Sequence, residues 1–174
     1  MQSAKNLLLT GKPGSGKTTA LIAAVKLIGM RAGGFYTQEV REKGERIGFN
    51  IVTLSGRSRM MASKGFRSPR RVGSYGVDVE AIDTLAAGSI EEAIEKDDLI
   101  VIDEIGKMEL FSDVFRRSIL KALDSPKPVI GVIMEKHDEF ADKVKARADV
   151  KLIGVTHKNR DEVPALLKAY IEGL

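Results

Sequence analysis

Five residues near the start of the chain have the types and spacing to hold a string of phosphates. Gly11, Gly14, Gly16, Lys17 and Thr18 lie in L-L-L-T-G-K-P-G-S-G-K-T-T and satisfy G-x-x-x-x-G-K-[ST]. Glycines there let the backbone turn its amides inward as an anion nest, reinforced by the positive end of a following helix. The lysine adds a full charge at the β and γ phosphates, and the hydroxyl after it can ligate Mg²⁺. The pattern carries this meaning only between a strand and a helix. Asn6 to Thr10 is a short apolar run bounded by turn residues. Thr18 to Met30 supplies the helix, with Leu21, Ile22, Val25 and Ile28 at near-helical spacing. The first candidate set is therefore Gly11, Lys12, Pro13, Gly14, Ser15, Gly16, Lys17 and Thr18, with Lys17 in a catalytic role.

Two acids form the second set. Asp103 ends the apolar run Leu99 to Ile102, as expected of a strand buried on both faces of a parallel sheet. A carboxylate at that end can hold Mg²⁺ opposite Thr18, which makes Thr18 and Asp103 the candidate metal ligands. The plainer alternative is an aspartate that only ends a strand. Glu104 follows immediately and can orient or deprotonate a water attacking the γ-phosphate, or it is a surface acid.

A transition-state cation is the third requirement. Arg116 and Arg117 on the next helix, Arg70 and Arg71 in a basic stretch, and Lys107 are candidates, each also readable as a solvated charge. Thr156 to Arg160 (T-H-K-N-R) follows the last strand. There Asn159 bonds a base edge or caps the next helix with Glu162, and His157 or Arg160 stacks on the base. His137 reads as a surface residue.

The elements that must position these groups alternate along the chain. After the first helix, Phe35 to Arg41 alternates as a strand, Lys43-Gly44-Glu45 turns, and Ile47 to Leu54 returns as its hairpin partner. Arg57 to Gly76 has no acid between Ser55 and Val77 and reads as a basic loop, facing a nucleotide or partner or simply solvated. Asp78 to Lys96 is helical by pattern, with a possible split at Gly88-Ser89 and a new capping box from Ser89 and Glu92. Ser112 caps the following helix. Pro128 to Met134 is a buried strand, Asp138 to Arg147 a helix, Val150 to Val155 a last strand, and Asp161 to Ile171 a closing helix. This order implies one domain over residues 1–174: an α/β, three-layer αβα phosphate-loop fold with a mostly parallel, doubly wound sheet. Ligands of such sheets bind at the carboxyl ends of the strands. The long stretch from Lys17 to Asp103 leaves room for an additional strand between the phosphate-loop and metal-aspartate strands.

Composition excludes several classes of function. The 174 residues contain no Cys and two His, which rules out disulfides, a thiolate nucleophile and a zinc cluster. The longest apolar runs are far shorter than a bilayer span and no signal-peptide pattern opens the chain, so a cytoplasmic protein is expected. A net charge of +4 suits a polyanionic nucleotide but is mild for a dedicated nucleic-acid binder.

D-E-I-G-K-M-E-L-F at Asp103 to Phe111 resembles the signature of the small stand-alone P-loop nucleoside-triphosphatases, a family known from thermophiles with a cancer-related human member. G-F-Y-T-Q-E-V-R at Gly34 to Arg41, R-I-G-F-N-I-V-T-L after it, and R-V-G-S-Y-G-V-D-V at Arg71 to Val79 are similar to the same family. The resemblance implies slow, Mg²⁺-dependent hydrolysis of several nucleoside triphosphates with weak base discrimination. By the same resemblance, Leu99, Ile100, Val101, Ile102, Asp103, Glu104, Ile105 and Gly106 line the nucleotide site with the loop. Lys107 and Glu109 follow as candidate γ-phosphate sensors. Two other readings remain on the sequence: a small-molecule kinase with Arg57 to Arg71 as its lid, and a module whose nucleotide switches nucleic-acid or protein binding.

Overall fold

The strands at the centre of the sheet pair in parallel because their side chains are buried on both faces. In the computed structural model, which describes residues 4–174, β1 (Asn6–Thr10), β7 (Leu99–Ile105) and β8 (Val129–Ile133) are almost wholly buried. With β2 (Ala32–Glu42) and β9 (Val150–Gly154) they form the order β2-β7-β8-β1-β9. Every pairing among them is parallel.

β2 continues as an antiparallel extension through β3 (Glu45–Thr53), β4 (Ser58–Ser63), β6 (Tyr75–Val77) and β5 (Arg71–Val72), giving nine strands in one sheet. On one face lie α1 (Lys17–Ile28) and α6 (Val163–Glu172), closing a core of Leu7, Leu9, Leu21, Val101 and Leu167. On the other lie α3 (Ala87–Lys96), α4 (Asp113–Asp124) and α5 (Glu139–Lys145) over Leu8, Ile100, Ile102, Phe115 and Ile119. The result is the expected α/β architecture, helices covering both faces of a parallel central sheet.

An additional strand does separate the phosphate-loop strand from the aspartate strand, but it is β8, from downstream of Asp103. The stretch between Lys17 and Asp103 instead builds β2 and the antiparallel extension. The expected basic loop is corrected as well, since it contains β4. S-R-M-M-A-S offers only a short apolar signal, and a bulge at Met61, opposite Phe49 and Asn50 of β3, breaks the alternation that would reveal it. Three of its six cations are matched to acids: Arg57 pairs with Glu92 at 2.8 Å, Arg59 with Asp78 at 2.8 Å and Lys64 with Glu45 at 2.5 Å. Arg71 donates to the carbonyls of Phe66 and Ser74.

The helix after Asp78 does not split at Gly88-Ser89. Ser89 Oγ donates back to the Ala86 carbonyl at 2.8 Å, so no capping box forms with Glu92. The irregularity falls earlier, as a π turn over Ile82–Ala86 that joins α2 (Val79–Ala81) to α3. Ser112 caps α4 as expected, accepting from the Phe115 amide at 2.9 Å.

Phe115 is fully buried and meets Phe35 edge-on with ring centroids 5.9 Å apart, tying α4 to β2. Truncation leaves a cavity that this packed layer closes poorly. Phe115→Ala is expected to lower stability by about 3–5 kcal/mol, measured by denaturant unfolding against wild type.

Candidate active site at the carboxyl edge of the sheet

The phosphate loop leaves β1 at Thr10 and enters α1 at Lys17. Gly11 has φ +149°, and a Cβ there would lie 2.4 Å from the Val155 carbonyl oxygen, so the loop passes β9 only with glycine at this position. Lys17 folds back over the loop. Its Nζ donates to the Gly11 and Lys12 carbonyls at 2.8 and 2.9 Å, a compact arrangement that satisfies the ammonium.

Two strands away, β7 delivers the acids. Its register on β8 runs Asp103↔Val132 and then Ile105↔Ile133, which makes Glu104 the extra residue of a bulge. Asp103 is buried, while Glu104 is half-buried. The peptide between them is cis. Burial pushes the Asp103 carboxyl up to about 7, helped by the neighbouring Glu104, while the Thr18 hydroxyl and the Lys17 ammonium work the other way. Among the described residues its Oδ2 is buried without a hydrogen-bond partner. A hydroxyl and a carboxylate with an unused buried oxygen form a hard-oxygen donor set of the kind Mg²⁺ accepts. Among the described residues no three His, Cys, Asp or Glu cluster as a metal cage.

Burial also raises Glu104, with Lys17 pulling it down. Gly106 makes room for this side chain: a Cβ at 106 would lie 2.6 Å from Glu104 Oε1. Glu109 is buried in the 3₁₀ turn Glu109–Phe111, and its carboxyl stands well above the usual range, first from burial and next from Glu104.

Lys17, Thr18, Asp103 and Glu104 open onto one cavity of about 710 Å³, while Gly106 and Glu109 lie outside its wall. Pro13, Gly14, Gly16, Lys17 and Thr18 form one wall and Asp103 and Glu104 the floor. The remaining wall was not foreseen as part of the site. It comes from the β2–β3 hairpin: Tyr36, Thr37, Gln38, Glu39, Arg46 and Phe49. The available signal was G-F-Y-T-Q-E-V-R, whose Tyr36 directly follows the last β2 residue paired to β7.

Other expected positions sit elsewhere. Leu99, Ile100, Val101 and Ile102 are core residues of β7 and do not reach the cavity wall; their packing holds Asp103 in place. Ile105 is likewise buried. Arg116 donates to the Leu110 carbonyl at 2.8 Å and lies over Phe140, Arg70 lies over Phe111, and Arg117 and Lys107 are exposed. None of these cations lines the cavity, whereas Arg46 and Arg160 do. Asn159 caps no helix. Its Oδ1 accepts from the Thr156 amide and its Nδ2 donates to the Gly154 carbonyl, both at 2.8 Å, which cross-links the loop after β9. A second cavity of about 440 Å³ lies beside it, lined by Gly16, Thr19, Ala23, Arg160, Asp161 and Pro164.

A phosphate loop on a parallel α/β sheet, facing an acid pair across one intervening strand, defines the P-loop class of nucleotide-binding proteins. A family profile described as NTPase matches residues 6–167. The chain is 45% identical over 157 residues to nucleoside-triphosphatase THEP1 of Thermotoga sp. (strain RQ2), with 90% of each protein covered. It is 43% identical over 178 residues to THEP1 of Thermofilum pendens, covering 99% of this chain and 98% of that one. The crystal structure of THEP1 from Aquifex aeolicus superposes with a TM-score of 0.88 at 36% identity, over 96% of this chain and 99% of that one. The solution structure of a human cancer-related nucleoside triphosphatase gives 0.81, also at 36% identity, over 97% and 98%. The chain belongs to this nucleoside-triphosphatase family.

Gly106→Ala isolates the Glu104 position, because the atoms a new Cβ meets belong to that movable side chain. The variant is expected to fold normally, to show Glu104 displaced in a crystal structure, and to turn over nucleoside triphosphate at least about tenfold more slowly. Steady-state phosphate release beside a thermal melt checks both halves.

Proposed function

We propose that this single domain hydrolyses nucleoside triphosphates to the diphosphate and phosphate, in a Mg²⁺-dependent reaction with broad base specificity. One observation carries the reading: Lys17, Thr18, Asp103 and Glu104 face a common cavity, with an unpartnered buried oxygen on Asp103. The loop amides and Lys17 bind the phosphates. Lys17 exchanges its two carbonyl partners for the β and γ oxygens, a trade of neutral acceptors for charged ones. Thr18 and Asp103 are the residues that would hold Mg²⁺, which, when bound, neutralises charge on the β and γ phosphates. Glu104 orients the attacking water and takes its proton, and burial raises its affinity for that proton.

Broad base specificity is supported by the cavity beside Gly16, where the flat guanidinium of Arg160 offers a stacking face that any base can use. Cytoplasmic location belongs to the same proposal, and no described helix is long and apolar enough to cross a membrane. The kinase reading loses its lid, because Arg57 to Arg71 contains β4 and contributes nothing to the cavity wall. A nucleic-acid switch gains little support from Arg57, Arg59 and Lys64, which are already matched to acids.

Phosphate release from ATP, GTP, CTP and UTP with Mg²⁺ tests the proposal. Slow release from all four is expected, falling by about 10²-fold or more in Glu104→Gln with nucleotide binding retained, and falling with lost binding in Lys17→Ala. Tight nucleotide binding by wild type without phosphate release would overturn it.

A further inference from the structure

The sheet register places the β2–β3 hairpin on the far side of the acids from the phosphate loop. β2 stays paired to β7 only as far as Phe35↔Ile102, so Tyr36 and Asp103 are the next residues on the two strands. From there β2 runs on with β3 alone to Glu42↔Glu45. Seven residues at about 3.3 Å each raise this hairpin roughly 20 Å beyond the edge where the acids sit. Lys17 starts from β1, two strands to the other side. Any phosphate held between the loop and Asp103 therefore has Lys17 on one flank and the hairpin on the other.

Arg46 is the one cation the hairpin presents to that cavity. It is held from several directions. Nη1 donates to Glu39 Oε1 and Nε to the Tyr75 hydroxyl, both at 3.0 Å. The guanidinium lies 5.1 Å from the Phe49 ring centroid and 5.6 Å from that of Tyr75. Those two rings are themselves packed edge-on. Among the described residues Nη2 makes no hydrogen bond, so a donor remains for an incoming oxygen. Arg41 binds the same Glu39 at 2.9 Å yet is no part of the cavity wall. Arg160 lies against Gly16, at the start of α1, on the loop's own side. A planar cation fixed by stacking and two hydrogen bonds loses little freedom when it meets a phosphate.

We propose that Arg46 is a catalytic residue that binds the γ-phosphate oxygens from the side opposite Lys17, with Glu39, Phe49 and Tyr75 as its positioning residues. The assignment rests on the hydrolase reading above. As the water oxygen bonds to the γ-phosphorus and the bridge to the β-phosphate breaks, the leaving electron pair stays on the diphosphate and the water proton passes to Glu104. Arg46 transfers no proton; it stabilises the charge spread over the γ oxygens.

The test compares wild type, Arg46→Lys, Arg46→Ala and Arg41→Ala, by phosphate release and by affinity for ADP with and without aluminium fluoride. Arg46→Ala is expected to lower kcat by about 10²–10³-fold, with Arg46→Lys in between. Affinity for the aluminium fluoride complex falls with it, affinity for ADP stays within about twofold, and Arg41→Ala matches wild type. A kcat within about threefold of wild type in Arg46→Ala, or equal losses in Arg46→Ala and Arg41→Ala, would overturn the assignment and leave the hydrolase reading standing. Absence of phosphate release from wild type would overturn both.

Discussion

Parallel pairing of β8 with β1 on one side and β7 on the other sets the distance on which the whole site depends. Two strand spacings put the phosphate loop and Asp103 roughly 10 Å apart along the sheet edge. The proposed reaction needs a gap of that order for a phosphate chain, and closing it by one strand would bring Asp103 against the loop. β8 holds the spacing because its five residues are all buried, between two strands that are nearly as apolar. The outermost parallel pairing, β2 on β7, extends the same logic outward and gives the site its hairpin wall.

Electrostatics then makes the site an expensive one to fold. Asp103, Glu104 and Glu109 crowd carboxyls into a buried region, and burial is the leading cause of the raised proton affinity of each. For Asp103 the folded protein binds the proton more tightly than the unfolded chain does. Its contribution to stability is therefore complete below about pH 3.8 and is lost as pH rises through about 7. At neutral pH the buried Asp103 carboxylate works against folding, a cost that the cation of the proposed reaction would relieve. Tight packing of the neighbouring strands carries that burden meanwhile, with Leu99, Ile100 and Ile102 fully buried beneath the acids.

Much of this was legible in the residues. The phosphate loop, the apolar strand ending in Asp103 and the alternation of strand and helix each have a local signature, and local signatures suffice for the central sheet. What stayed hidden was set by pairing across the chain. Nothing within V-I-G-V-I says that it inserts between β1 and β7, since buried parallel strands look alike in sequence. β4 was obscured by Arg59 within it and by Arg57 and Lys64 at its ends, whose partners Asp78, Glu92 and Glu45 come from three other segments. Arg46 sits in an ordinary hairpin, and only the register of β2 on β7 reveals that the hairpin overhangs the acids. Asn159 fitted a cap motif equally well, but bonds to Thr156 and Gly154 took both of its polar atoms.

Everything rests on Thr18 and Asp103 acting together across β8. The most direct measurement is the affinity of Mn²⁺, read by electron paramagnetic resonance, in the presence of a non-hydrolysable nucleoside triphosphate, for wild type and Asp103→Asn. Wild type should bind the metal at least about tenfold more tightly than the variant, while metal-free nucleotide binds both alike. Equal metal affinity in the two proteins would contradict the convergence of loop and aspartate on one ion.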